Sequence, residues 1–141
     1  MQNPHLDPLS APAEWHRYLY RSILLPWETS LKHQESFPRY VRGKAIARVQ
    51  LHKWSAIHDV ERAWNSGSVG SDKSSSLTFF SNRAAYKDLI ALLRNCVAHG
   101  HYTPVGRFKV HFWHKYDGKL KLFGTLRFSE LKDLVALLHP T

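Results

Sequence analysis

The sequence predicts a single, mainly α domain: an antiparallel helical bundle followed by a C-terminal β-hairpin at 107–128 and a short closing helix. Three observations carry this. Apolar residues recur at steps of three and four over 46–64 and again over 86–97. Alternation of strand type begins only after Gly100. The chain of 141 residues fits one domain of ordinary size, and its single cysteine, Cys96, excludes a disulfide scaffold.

Residues 1–12, with prolines at 4, 8 and 12, read as a flexible arm, which leaves 13–141 as the domain. A helix is expected from Ala13, with Trp15, Leu19 and Ile23 as its stripe and Pro26 as a kink or stop. Pro38 suits the first turn of the next helix. There Ile46, Val49, Lys53, Ile57, Val60 and Trp64 fall on one face, with Lys44, Arg48 and His52 in a row on another. The Gly/Ser-rich stretch 65–76 reads as a surface loop inside the same domain. A helix capped by Ser81 then runs to about His99, with Tyr86, Leu89, Ile90, Leu93 and Val97 as its core stripe and Gly100 as the left-handed residue after its end.

The hairpin turns at Asp117-Gly118. A two-residue turn would pair Tyr116 with Lys119 and mix polar and apolar residues on both faces. A three-residue loop pairs Tyr116 with Leu120 and sets Val110, Phe112 and His114 opposite Leu126, Gly124 and Leu122; patterning favours it. The outer face then carries Lys109, His111, Trp113, Lys115, Lys121, Phe123 and Arg127. Cations interleaved with aromatics suit RNA phosphates and stacked bases, and the alternative is that Trp113 and Phe123 pack on another element. The closing helix starts near Ser129 and buries Leu131, Leu134, Val135 and Leu138.

Lysine and arginine number 20 against 11 acidic residues, a net charge of +9 that attracts polyanions. No basic start with an apolar run marks a secretory signal, and no apolar run nears the ~20 residues of a membrane helix. A cytoplasmic protein with no membrane partner is expected. Ten histidines invite a metal, yet no HExxH pattern exists, and His111 and His114 fall on opposite strand faces. No GxSxG elbow or phosphate-cradling glycine loop is present, so neither metal nor cofactor is expected.

The segment LLRNCVAHGHY at 92–102 concentrates the chemistry. Asn95 and His99, four apart, share a helix face. Arg94 and His99 lie roughly 140° apart and can edge one groove. The plainer alternative is an ordinary helix ending, with His99 favoured by the helix dipole. Arg94-Asn95-x-x-x-His99, with Ala98 and Gly100 around the histidine, resembles the signature of HEPN domains. These are helical bundles, many of them metal-independent ribonucleases that act as toxins, phage-defence effectors or RNA-processing enzymes. The resemblance implies an HEPN-like bundle and a homodimer that brings two motifs together. It further implies cleavage of RNA by its 2′-hydroxyl to a 2′,3′-cyclic phosphate, with a possible antitoxin partner. His99 would transfer protons, Arg94 would hold the scissile phosphate, and Asn95 would orient His99 or bind a phosphate oxygen. Cys96 reads as a small core residue. Antitoxin-controlled members carry a tyrosine two residues after the histidine; here that place is His101, and Tyr102 follows. Since some HEPN domains are non-catalytic, a module that only binds RNA or protein is the alternative function.

Overall fold

A computed structural model of the chain describes residues 11–66 and 75–139. Most of the arm expected at 1–12 and of the loop expected at 65–76 lies outside the described residues, as does Pro140. The architecture is not a helical bundle. It is a mixed α/β fold built on one five-stranded sheet, whose strands lie in the order β1 (Val49–Trp54), β2 (Ser75–Phe80), β5 (Lys119–Arg127), β4 (Lys109–Tyr116), β3 (Tyr102–Val105).

The chain enters through α1 (Ala13–Leu19), which buries Trp15 and Leu19 as the periodicity requires. Pro26 does not end it. The helix widens into a π-turn over Tyr20–Leu24 and continues as α2 (Leu25–Thr29). Proline lacks an N–H and its ring crowds the preceding turn, and widening that turn absorbs the misfit. Pro38 begins no helix; its carbonyl accepts the Tyr86 N–H at 2.9 Å in an extended passage.

The long helix expected over 46–64 is replaced by strand β1 (Val49–Trp54) and a shorter helix, α3 (Ile57–Asn65). Val49 satisfies both periods, whereas Leu51 lies off the helical face and fits only the strand. Val49 and Leu51 alternate with exposed Gln50 and His52, which suits a strand with one face buried, and Lys53 was the flaw in the helical stripe. β1 pairs in parallel with β2 (Ser75–Phe80), and α3 lies between them in sequence. Helix α4 (Lys87–Ala98) begins later than expected. Ser81 does not cap it: its Oγ accepts the Arg83 N–H at 3.1 Å and donates to Asp88 at 2.8 Å.

Strand β3 (Tyr102–Val105) follows; Pro104 is tolerated because β3 forms the sheet edge. β4 (Lys109–Tyr116) and β5 (Lys119–Arg127) form the hairpin, and α5 (Phe128–Leu138) closes the chain. The hairpin corrects the expected register near its turn. Asp117 and Gly118 form a two-residue turn with φ of 54° and 75°, and Tyr116 pairs with Lys119. A bulge then shifts the register, leaving Lys121 without an opposite residue. Beyond it His114, Phe112 and Val110 face Leu122, Gly124 and Leu126, as the patterning required. The bulge reconciles both demands: the turn takes its preferred chemistry, and the apolar residues still reach the core.

Two cores result. Helices α1, α4 and α5 pack on one sheet face, where Leu51, Phe79, Phe112, Leu122 and Leu126 are buried. On the other face α3 covers a smaller cluster of Val60, Leu120 and Phe123. Phe123 therefore lies beneath α3 and is 2% exposed, so it is no part of an open RNA-facing surface.

Candidate functional site

The last turn of α4 sets the site. The His101 N–H reaches the Cys96 carbonyl at 2.7 Å and the Gly100 N–H reaches Val97 at 3.2 Å, the paired bonds of a Schellman ending. Gly100 has φ of 68°, the left-handed conformation such an ending needs. His99 sits at the cap, and the reversal turns His101 back towards it: their ring centroids are 5.7 Å apart.

β4 brings a third imidazole. His114 lies on its core face, 4% exposed, with its ring 6.2 Å from His99 and 6.4 Å from His101. Burial, with His101, His99 and Lys121 nearby, pushes its pKa down to about 4. Burial and the neighbouring His99 also lower that of His101. Both rings are thereby held neutral near pH 7. The Nδ1 atoms of His101 and His114 are buried and unpaired among the described residues. No group of three His, Cys, Asp or Glu side chains among the described residues is arranged to hold a metal ion.

Asn95 and His99 line one small cleft with His114, Tyr116 and Lys121. The bulge places Lys121 there, where its Nζ lies 5.2 Å from the Tyr116 ring centre. Arg94 is differently engaged. Its guanidinium makes an ion pair with Glu28 of α2 and donates to the Asn95 side-chain carbonyl at 2.8 Å. It ties α2 to α4 and fixes the Asn95 amide. Cys96 is fully buried, its Sγ is 3.2 Å from the Trp113 carbonyl, and burial raises its pKa, which keeps it a thiol.

The expected RNA-binding residues separate into groups. Lys109 and Arg127 pair at the far end of the hairpin. His111 and Trp113 lie on the α3 side, where the rings run in a row: Trp113 stands 5.2 Å from His101 and 5.8 Å from His111, and His111 stands 6.1 Å from Trp64. Lys115 lines a cleft between α3 and the hairpin together with His111 and Trp113, whereas Lys121 lines the cleft of His99 and His114. A wider, shallow concavity of 1110 Å³ lies away from all these rings, between Arg48, Arg127, Glu130 and Asp133.

His101, His114 and Trp64 were not singled out as site residues by sequence reasoning. A readable signal existed for His101: pairing β3 with β4 through Gly106 sets His101 beside Trp113, whose N–H it accepts at 3.3 Å. The proline in β3 obscured that strand. Comparison with family models, with curated proteins and with solved structures finds no significant match to this chain.

Proposed function

We propose that this chain is a metal-independent endoribonuclease that cleaves RNA by attack of the ribose 2′-hydroxyl. The observation that carries the reading is the proximity of the His99 and His101 rings in one chain, with Asn95 and Lys121 lining the same cleft as His99. In-line transesterification needs a base for the 2′-hydroxyl proton and an acid for the leaving 5′-oxygen. His101, held neutral by burial and by His99, suits the base. His99, more exposed, suits the acid. The 2′-oxygen forms its bond to phosphorus as the bond to the 5′-oxygen breaks, giving a 2′,3′-cyclic phosphate and a 5′-hydroxyl. Lys121 offsets charge on the phosphate, and Asn95, fixed by Arg94, orients His99.

The likeness of Arg94-Asn95-x-x-x-His99 to HEPN ribonucleases supports the same chemistry, here on a sheet-based scaffold. Two histidines within one chain remove the need for a homodimer to complete the site. As a toxin or defence effector the chain would slow growth when expressed alone, an effect that an antitoxin partner would relieve. A non-catalytic RNA-binding role is the second reading, favoured by the engagement of Arg94 with Glu28 rather than with open solvent.

The test is cleavage of total RNA with chelator present. Wild type should yield cyclic-phosphate ends and leave DNA intact. His99→Ala and His101→Ala should each slow cleavage by ~100-fold or more. Equal cutting of DNA, full inhibition by chelator, or undiminished cleavage by His99→Ala would overturn the reading, and salt-sensitive binding without cleavage would select the second one.

A further inference from the structure

Between α3 and the hairpin lies a cleft of 550 Å³, within the ~300–1,000 Å³ of small-molecule sites. Glu61, Trp64 and Asn65 of α3 line it together with His111, Trp113 and Lys115 of β4. Trp64 sets an edge against Phe123 at 5.2 Å and remains 42% exposed, so its ring is not used up by the core. Such indole surface beside polar groups suits stacking on a planar ring. Trp113 belongs to this cleft and also stacks on His101, which makes it the wall shared with the histidine site.

The polar member that decides the ligand is Glu61. In a chain of net charge +9, a carboxylate opposes an anionic ligand unless the ligand brings donors to it. Glu61 is half-buried and receives only a long contact, the Leu120 N–H at 3.5 Å; it enters no ion pair among the described residues. An ionised carboxylate only accepts hydrogen bonds. Of the RNA bases, guanine alone offers two adjacent donors, N1–H and the 2-amino group. Adenine and cytosine place an acceptor nitrogen beside their amino group, and uracil sets its one N–H between two carbonyls. The Asn65 amide can donate to guanine O6, and Lys115 adds a positive charge for phosphate.

We propose that this cleft is a guanine-binding subsite, holding the base next to the cleaved phosphate by stacking on Trp64 and Trp113 and by two hydrogen bonds to Glu61. The proposal rests on the RNA reading above but not on catalysis, so binding tests it separately. Calorimetric titration of the full chain with GMP, AMP, CMP and UMP should show GMP binding at least ~10-fold tighter than the others. Glu61→Gln, nearly isosteric, should remove that preference by weakening GMP alone, and Trp64→Ala should weaken all four. Equal binding of the four nucleotides, no binding of GMP, or an intact preference in Glu61→Gln would overturn it. Cleavage without preference for guanosine and without GMP binding would remove the subsite and keep the ribonuclease; selective GMP binding without cleavage would do the reverse.

Discussion

His114 combines two properties that rarely coexist in a core residue: a buried imidazole and a buried, unpaired Nδ1. Its pKa falls from the ordinary ~6.5 to about 4 because burial, His101, His99 and Lys121 all penalise the charged ring. Between those values the unfolded chain holds a proton that the folded chain does not, so stability falls as pH drops from about 6.5 towards 4. Thermal melts should therefore show Tm declining across that window, and His114→Phe should flatten the decline; equal slopes would show that His114 does not cause it. Arg94 poses a sharper choice. As a positioning residue it needs Glu28, so Glu28→Ala should lower both Tm and cleavage. A phosphate clamp restrained by Glu28 would instead gain RNA affinity when that carboxylate is removed. Measuring RNA affinity and cleavage on this one variant separates the two roles.

At the scale of elements, the hairpin and α4 do most to build the site. Gly124 faces Phe112 on β4 and packs against β2; a Cβ there would sit 2.2 Å from the Ser76 carbonyl oxygen and 2.8 Å from the Leu77 Cα. The obstruction is backbone, so Gly124→Ala should cost about 1–3 kcal/mol in chemical denaturation, and a neutral result would mean the strands spread freely. Gly100→Ala should cost about 1–2 kcal/mol through its left-handed φ and should slow cleavage further by moving His99 and His101. These elements differ in how legible they are from sequence. The stripe of Leu89, Ile90 and Leu93 identifies α4, and Gly100 identifies its end, because both signals are local. The stretch from Ile46 to Trp64 misleads, because Ile46, Val49, Ile57, Val60 and Trp64 fall on one helix face, whereas Leu51, which lies off that face, carries the strand period. What decides there is parallel pairing with β2, a contact across the chain that no local period records. In the hairpin both competing registers held part of the answer, and a bulge at Lys121 joins them.

For the whole molecule, the fold converts a motif confined to one helix end into a site drawn from α4, the turn after it and both hairpin strands. Arg94, Asn95 and His99 were readable because they lie close together in sequence, within the last turns and the cap of one helix. His101 and His114 were not, since their meeting depends on β3 closing against β4, and Lys121 reaches the cleft of His114 only through the bulge in β5. No helix among the described residues is long and apolar enough to cross a membrane. The net charge of +9 gives a long-range attraction for polyanions, and the proposed function assigns selectivity among RNAs to near contacts at the rings. Whether one chain holds both proton-transfer groups is decided by complementation. RNA cleavage in chelator is compared for wild type, His99→Ala, His101→Ala and an equimolar mixture of the two variants. A site complete in one chain predicts active wild type, each variant slowed ~100-fold or more, and a mixture no better than its parts. Recovery of activity in the mixture, or full activity in either variant, would contradict it.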